Sequence, residues 1–325
     1  MNPLIKSITV NLFFFTLAAC GGGGGGGGSV SVSTGVLNLS VTDAAVDDAD
    51  KVLVQFTSVS VKPAEGPAFD IALTGDSLTC RDLLDGASTT ATPEGTETIR
   101  CIDLLNQQGT QSASLLAGVE LDAGNYTWMR LGVQAERGEM DSIIVLEDGT
   151  WESLYVPSGS QSGLKLNSSY TILAGGRSDF VIDFDLRKSV NDPKGFDDYR
   201  LKPSLRLIDM AESGNIIGTV DASLITADGC SESSAVYVYE GADATTGQEG
   251  SDDAPLTSAA VSLADGDNQW RYTVGFLEPG TYTVVFTCQA GLDTPDVDTD
   301  LDLQFVSSND SPATVNKDQD TEVNF

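Results

Sequence analysis

Short segments of alternating apolar and polar residues fill the chain from residue 29 onward, separated by Gly, Asp, Asn and Pro. A period of two is typical of strands that bury one face of a sheet. The clearest case is residues 179–186, where four apolar side chains share one face. Asp179, Asp183 and Asp185 lie with Val181 on the other face, so we expect a half-buried strand.

Helical periodicity is nearly absent; one short helical turn is predicted over residues 112–117. Residues 240–255 are polar and lack any period, which predicts an exposed loop. Strands are predicted over these segments: 36–41, 51–56, 126–133, 142–146, 151–156, 179–186, 199–208, 215–220, 235–239, 269–276, 281–287, 301–306 and 321–325. The pattern predicts an all-β protein.

A related phrase occurs in both halves, VELDAGNYT from residue 119 and FLEPGTYT from residue 276. Each has a turn ending in Gly, followed by Tyr-Thr at the start of a strand. We expect Tyr126 and Tyr282 to bury their rings while each hydroxyl reaches a backbone group, as in the tyrosine corner of β-sandwiches.

A composition break near residues 211–214 divides the strands into two sets. We therefore predict two antiparallel β-sandwich domains, over residues 35–210 and 211–325. A signal peptide over residues 1–19 and a tether over residues 20–34 precede them.

The N-terminal segment carries one charge, Lys6, before an apolar run that ends in Leu-Ala-Ala-Cys at Cys20. The run is too short to span a bilayer, and its end is typical of a bacterial lipoprotein signal. Cys20 would be acylated and would become the new N-terminus; an ordinary secretory signal is the alternative. Eight glycines follow as a flexible tether. Because Gly21 stands where lipoproteins retained in the inner membrane carry Asp, we predict a lipid-anchored outer-membrane protein, facing the periplasm or the cell surface.

The composition of the chain excludes several classes of function. The 325 residues include 48 acidic and 17 basic side chains, a net charge of −31, and no histidine. The absence of histidine excludes Ser-His-Asp catalysis and histidine-ligated zinc. The negative charge argues against nucleic-acid partners. No cofactor is expected, calcium excepted.

Four cysteines remain beyond Cys20: Cys80, Cys101, Cys230 and Cys288. Three pairings are open, and disulfides persist in the predicted compartment. Sequence proximity and the domain division favour Cys80–Cys101 and Cys230–Cys288. A four-thiolate metal site is the alternative, which the absence of any C-x-x-C pair disfavours.

The most acidic run places Asp296, Asp298, Asp300 and Asp302 on one side of an extended segment, about 6.6 Å apart. Binding Ca²⁺ would relieve their repulsion, with Asp265 and Asp267 as further candidates. A solvated acidic face is the alternative, and the general acidity of residues 211–325 favours it. A second cluster, Asp43, Asp47, Asp48 and Asp50, is typical of a turn between strands, with cation binding as its alternative.

Basic side chains concentrate around residues 183–206, and the candidate ligand-binding set is Lys165, Arg187, Lys202 and Arg206. They could bind an anion such as a sugar acid, because Arg suits bidentate carboxylate recognition. Pairing with Asp183 and Asp185 across strands is the favoured alternative.

Two family resemblances follow from longer phrases. Residues 35–207 resemble the bacterial lipoprotein family called domain of unknown function 4382, through LSVTDAAVDDADK from residue 39, VPSGSQSGLK from 156, DFDLRKS from 183 and YRLKPS from 199. This resemblance implies a secreted β-sandwich without a named activity. IGTV from residue 217 and LEPGTYTV from 277 resemble a transthyretin-like or carboxypeptidase-regulatory sandwich, which implies a binding or spacing role.

These observations predict a non-enzymatic, lipid-anchored envelope protein with a binding or structural role. Its candidate partners are the membrane through the lipid, a glycan or an envelope protein, or calcium in an adhesion module. A carboxylate-dependent hydrolase of glycans is the alternative, although abundant acidic residues do not by themselves form a catalytic pair. The serines near Lys165 lack the spacing of a nucleophile elbow. The oligomeric state is left open.

Overall fold

The computed structural model describes residues 33–44, 49–86, 98–157, 163–193, 198–227, 230, 233–264, 266, 268–293 and 303–325. The predictions for Cys20, the glycine tether and the Asp296–Asp302 run lie outside these residues. So do those for Asp47, Asp48, Asp265 and Asp267. Residues 33–325 form one compact unit.

The all-β prediction is confirmed, and the strands form four sheets. The first half contains β1 (Thr34–Ala44), β2 (Ala49–Pro63), β3 (Phe69–Ala72), β4 (Arg100–Asp103), β5 (Ala113–Asp122), β6 (Gly124–Gln134), β7 (Ile143–Leu146), β8 (Trp151–Tyr155), β9 (Leu164–Leu166), β10 (Tyr170–Ile172), β11 (Arg177–Asp185), β12 (Val190–Asn191), β13 (Tyr199–Leu201) and β14 (Leu205–Asp209). The second half contains β15 (Gly214–Val220), β16 (Ala235–Glu240), β17 (Thr257–Ala260), β18 (Ser262–Leu263), β19 (Trp270–Leu277), β20 (Gly280–Thr287), β21 (Val306–Ser307), β22 (Ala313–Val315) and β23 (Asp320–Glu322).

Helices are short. The α-helices are α1 (Cys80–Leu84), α2 (Leu186–Ser189) and α3 (Ala222–Ile225), and the 3-10 turns are Leu104–Asn106, Met210–Glu212 and Ala290–Leu292. Within the described residues, no helix is long and apolar enough to cross a membrane.

The first sandwich, residues 33–209, packs sheet I against sheet II. Sheet I has the order β14-β11-β1-β5, and sheet II has the order β10-β6-β2-β7-β8-β13-β12, with β3 and β4 also paired to β2 and β9 to β6. Alternate side chains of β1, β2, β6 and β11 fill the space between the sheets, and fully buried Phe56 and Phe184 contact edge to face. This is the apolar face that the alternation predicts.

The second sandwich, residues 214–325, packs sheet III, of order β18-β19-β15-β23, against sheet IV. Sheet IV has the order β17-β16-β20-β21, with β22 also paired to β20. Its core includes Ile216, Val238, Tyr272 and Phe286. Whether each sandwich folds independently, as the predicted domain boundaries imply, stays a prediction.

Most pairings are antiparallel, but β1 with β11, β8 with β13, and β15 with β23 are parallel. A parallel pair needs a connection long enough to return the chain to the same end of the sheet. The first strand of each sandwich, β1 or β15, lies between two other strands of its sheet. A strand that comes much later in the chain can therefore lie beside it in the parallel orientation.

Three local predictions need correction. Residues 112–117, predicted as a helical turn, belong largely to β5, which pairs with β1. The strand predicted over residues 199–208 is interrupted at Pro203, which has no N–H for a ladder, so β13 joins sheet II and β14 joins sheet I. In the described part of segment 301–306, only Val306 is in a strand.

Both tyrosine corners are confirmed. The Tyr126 hydroxyl donates to the carbonyl oxygen of Asp122 at 2.9 Å, and the Tyr282 hydroxyl donates to that of Glu278 at 2.7 Å. Each bond spans four residues, so the repeated phrase produces the same local structure in both sandwiches.

Both favoured disulfides are present, Cys80–Cys101 and Cys230–Cys288. Cys80 and Cys101 lie in a small apolar cluster with Leu53, Ile143 and Val145 on the outer side of sheet II. Each bond stays within one sandwich, so disulfides do not join the two.

Candidate functional site: a charged junction between the sandwiches

The outer face of β11 is covered by the second sandwich. Val181, Asp183 and Asp185 are all at most 5% exposed, although the alternation predicts a solvent face. Val181 packs with Ile208 and with Phe276 of the second sandwich. The half-buried prediction is therefore wrong for this strand, because the second sandwich covers the face that an isolated first sandwich would expose to water.

The two sandwiches also approach closely through glycine. A methyl group added at Gly275 would lie 2.1 Å from the carbonyl oxygen of Gly109, and Gly109 itself has φ +65°. No side chain fits between these backbones, so glycine at position 275 permits the contact.

We call the buried polar contact region the junction. It comprises Asp43, Asp183, Asp185, Arg187, Lys188 and Arg206 of the first sandwich, and Tyr237, Glu249 and Asp293 of the second. β11, α2 and β14 position most of the first group, since Arg187 and Lys188 occupy the helical turn that directly follows β11.

Lys188 connects the sandwiches. Its Nζ lies 2.8 Å from Oδ2 of Asp185 and 3.8 Å from Oε2 of Glu249. It also donates to the carbonyl oxygens of Pro255 and Leu256. One ammonium group of the first sandwich therefore donates hydrogen bonds to two carbonyl groups of the second and lies within ion-pair distance of Glu249.

Arg187 makes a second connection. Its guanidinium is buried, donates to the carbonyl oxygen of Ala290 at 2.9 Å, and lies over the ring of Tyr237 at 5.9 Å. The Tyr237 hydroxyl donates in turn to Asp293 at 2.8 Å, and the backbone N–H of Glu249 donates to the same carboxylate. Arg187 is thus enclosed by groups of the second sandwich.

Arg206 neutralises Asp183 within sheet I. Its Nε and Nη2 lie 3.1 Å and 2.5 Å from Oδ2 of Asp183, across the β11–β14 ladder. Burial raises the pKa of Asp183, and Arg206 opposes that rise.

Acid exceeds base in the junction: the five carboxyl groups of Asp43, Asp183, Asp185, Glu249 and Asp293 face three cations. Burying unpaired carboxylates costs several kcal/mol each, on the order of the stability of a domain, so protons or bound cations must supply the missing charge. Burial, with Asp185 nearby, raises the pKa of Glu249 to about 8. Glu249 is therefore protonated more readily than an ordinary glutamate.

Asp43 is the remaining excess carboxyl. It is 4% exposed, and neither of its oxygens has a hydrogen-bond partner among the described residues. Burial raises its pKa well above the usual range, and Asp183 and Asp185 raise it further, while the backbone N–H of Leu186 opposes the rise. Asp43 borders a cavity of about 200 Å³ whose other walls include Asp183 and Ser258.

The structure separates the four predicted ligand-binding cations. Arg187 and Arg206 lie in the junction, where protein acceptors surround them. Lys165 on β9 is exposed on the outer face of sheet II, and Lys202 is exposed between β13 and β14. Anion binding by this set stays a prediction.

Lys165 instead belongs to an aromatic–cationic patch, which we define as Lys62, Trp128, Arg130 and Lys165 on the outer face of sheet II. Lys165 Nζ lies 4.9 Å, and the guanidinium carbon of Arg130 5.2 Å, from the ring centre of Trp128. Among the described residues, neither cation has a carboxylate within ion-pair distance.

Sequence reasoning missed Glu249 and Asp293 as junction residues. Glu249 lies in the segment predicted as an exposed loop, yet it is 1% exposed. Neither residue belongs to a periodic segment, so hydropathy could not identify them. Arg130 and Trp128 could have been found, because residues 128 and 130 share the face of β6 opposite buried Met129 and Leu131.

Within the residues that the structure describes, no three His, Cys, Asp or Glu side chains are arranged to hold a metal ion by themselves. The calcium site predicted at residues 296–302 lies outside them and stays a prediction.

Residues 34–203 match the family described as Domain of unknown function (DUF4382), which is more than half of the chain. The chain belongs to the DUF4382 family. The DUF4382 match ends before β14, although β14 pairs with β11 inside sheet I and carries Arg206. The sheet that forms the first side of the junction therefore extends beyond the DUF4382 match.

No curated protein matches the chain. Among solved structures, similarity is found to a leucine-rich repeat protein of Bacteroides thetaiotaomicron VPI-5482, with 14% identity and TM-score 0.23, covering 90% of this chain and 26% of that one. A proposed cell adhesion protein of Bacteroides fragilis NCTC 9343 has 11% identity and TM-score 0.19, with 86% and 80% covered. The minor pilin of Streptococcus agalactiae has 13% identity and TM-score 0.16, with 89% and 94% covered. These scores do not indicate a shared fold, so the function of this DUF4382 protein is argued from its own residues.

Proposed function

We propose that this DUF4382 protein is a lipid-anchored component of the bacterial outer membrane with a non-catalytic structural and binding role. The proposal rests on the junction, where the side chains of Arg187 and Lys188 make contacts between the two sandwiches. Ion pairs and a glycine-permitted backbone contact join the two sandwiches into one compact unit, as a spacer or stalk would need. The glycine tether would give this body reach from the lipid.

The lipid anchor is tested at Cys20. Expressed in a Gram-negative host, the protein should carry diacylglycerol on Cys20 and enter the detergent phase, whereas Cys20→Ala should leave the membrane fraction or keep its signal peptide. Mass spectrometry of the mature N-terminus and phase partitioning are the measurements.

Gly21→Asp is the matched control, because it keeps the acylation site. We expect it to stay lipidated but to move to the inner-membrane fraction. A Cys20→Ala protein that is processed normally and still partitions into detergent would disprove lipidation at Cys20.

For the binding role, the aromatic–cationic patch is the surface that suits an acidic glycan better than the other predicted partners. In the aromatic–cationic patch, Trp128 orients Arg130 and Lys165, whose charges are not neutralised by any carboxylate in the described part of the chain. Cations left unpaired in a chain with nearly three acids per base are available to an external carboxylate, and their fixed positions lower the entropy lost on binding. We propose that this patch binds the carboxylates of an acidic polysaccharide.

Replacing Trp128 with alanine tests that assignment. We expect the unlipidated chain from Ser29 onward to bind polygalacturonate, and Trp128→Ala to weaken binding about tenfold, equivalent to about 1.4 kcal/mol. Trp151→Ala is the matched control, since Trp151 also contacts an arginine, Arg81, at 5.9 Å but on another part of the surface. Affinity electrophoresis at fixed salt measures both; equal affinities in the two variants would contradict the assignment.

The glycan hydrolase remains the alternative. Asp43 and Asp183 border one cavity, but about 200 Å³ is less than the roughly 300–1,000 Å³ of typical ligand sites. A larger cavity of about 520 Å³ is bordered by Asp185, Glu240 and Asp253, but Lys188 holds the Asp185 carboxylate. These observations support the structural role over catalysis.

A further inference from the structure

We propose that the junction is a pH-sensitive contact: the two sandwiches are held together most tightly while Glu249 carries a proton, and the contact weakens when Glu249 ionises. This inference rests on the structural role proposed for the junction, and it adds the condition under which the junction holds. It is independent of the lipid anchor and of the aromatic–cationic patch.

The position of Glu249 carries the argument. It lies in the loop between β16 and β17, and it is 1% exposed. Neither of its carboxylate oxygens has a hydrogen-bond partner among the described residues. An ionised carboxylate that is buried without hydrogen bonds is strongly unfavourable, whereas a neutral carboxyl group in the same place is much less so. The surroundings of Glu249 therefore favour its protonated form.

Lys188 does not give an ionised Glu249 a hydrogen bond. Its Nζ lies 3.8 Å from Oε2 of Glu249 but only 2.8 Å from Oδ2 of Asp185. It also donates to the carbonyl oxygens of Pro255 and Leu256, both of which are nearer than Glu249. An ammonium group has three N–H bonds, so three closer acceptors occupy all of them. The attraction between Lys188 and Glu249 is thus that of a distant ion pair.

The other groups around Glu249 do not compensate for its burial. The titratable and charged groups that face it are Asp185 at the end of β11, Arg187 and Lys188 on α2, Tyr237 and Tyr239 on β16, and Asp293 after the Ala290–Leu292 turn. Both tyrosine hydroxyls donate elsewhere, to Asp293 and to the carbonyl oxygen of Gly247. Burial, with the carboxylate of Asp185 nearby, raises the pKa of Glu249 to about 8, and the two cations oppose only part of that rise.

The direction of the pH effect follows from the burial of Glu249. Where the sandwiches separate or unfold, water reaches Glu249 and its pKa returns to the ordinary value near 4.5. Between about pH 4.5 and 8 the separated form releases a proton that the joined form keeps, so the joined form loses stability as the pH rises. Above about pH 8 Glu249 is ionised in both forms and the loss is complete. The apolar contact of Val181 with Phe276 does not titrate, so the junction weakens without disappearing.

The test is thermal unfolding of Glu249→Gln and of the unaltered sequence, both as the unlipidated chain from Ser29 onward, between pH 5 and pH 9. Gln keeps the shape of the side chain and cannot ionise. We expect the midpoint of Glu249→Gln, relative to that of the unaltered chain, to rise by about 5 °C from pH 5 to pH 8 and then to stay level. Glu240→Gln is the matched control, because Glu240 is exposed at the end of β16, and its difference from the unaltered chain should not change with pH. The same independence of pH for Glu249→Gln would overturn the proposal.

Hydrogen exchange gives a second measurement on the unaltered junction. We expect amide protection in the loop of residues 241–256, corrected for the intrinsic exchange rate at each pH, to fall about tenfold between pH 6 and pH 8. This result would support the proposal even if Glu249→Gln failed to fold, and protection that stays constant with pH would overturn it. Arg187→Met, measured at a single pH, tests the structural role separately. Sandwiches that Arg187 joins but that show no pH dependence would contradict this inference alone.

Discussion

Arg187→Met is expected to lower the free energy of unfolding by about 3–5 kcal/mol, the range for removing one charged partner from a buried group of interacting charges. Met approximates the volume of the arginine stem but removes the charge that faces Tyr237 and the acidic groups of the second sandwich. The Ala290 carbonyl would also lose its donor. Because Arg187 joins the two sandwiches, we further expect their unfolding to separate into two transitions in denaturant titrations followed by fluorescence and circular dichroism.

Arg177→Met is the matched control for the loss of an arginine from the same region of chain. Arg177 pairs with Asp179 at the start of β11, but its side chain is 71% exposed, so we expect no measurable change in stability. The structural role of the junction would be wrong if Arg187→Met unfolded in a single transition at the same denaturant concentration as this control.

Removing the Cys230–Cys288 disulfide is expected to cost about 4 kcal/mol. The bond closes a loop of 58 residues, and the entropy that a cross-link removes from the unfolded chain grows with the logarithm of loop length. The double variant Cys230→Ala with Cys288→Ala should therefore lower the denaturant midpoint of the second sandwich strongly, as urea unfolding would show.

The comparison is Cys80→Ala with Cys101→Ala, which opens a loop of 21 residues. Loop entropy alone predicts a cost of about 3 kcal/mol there, with a further contribution from the apolar cluster around fully buried Cys80. A loss below about 1 kcal/mol on removing Cys230–Cys288 would show that the unfolded chain is already constrained in that region.

Local patterns determined most of the strands. The alternation in residues 36–41, 51–56 and 179–186 predicted β1, β2 and β11, and the repeated turn phrase predicted both tyrosine corners. Each of these depends on contacts within a few residues or on a single buried face, which a sequence pattern records directly. The disulfide pairing followed from proximity along the chain.

The composition of the junction was decided by tertiary structure. Asp183 and Asp185 lie at the alternate positions that a half-buried strand would expose to solvent. They are nevertheless buried, because the second sandwich covers them. Glu249 has no period at all and becomes buried because its loop folds against Lys188. Hydrophobic periodicity predicts which face of a strand is buried against its own apolar core. It does not predict that the opposite face, which carries charged residues, is also buried by another part of the protein.

The sequence by itself thus determined the all-β class, the family and the disulfides, and it predicts the N-terminal signal from which the lipid anchor is proposed. Only the tertiary structure decided that the two sandwiches are joined, that Arg187 and Lys188 make contacts between them, and that the buried Asp43 carboxylate has no hydrogen-bond partner among the described residues. The physical reason is that charge pairing between residues more than 60 positions apart, such as Lys188 with Glu249, depends on how the sheets pack and leaves no local pattern in the chain.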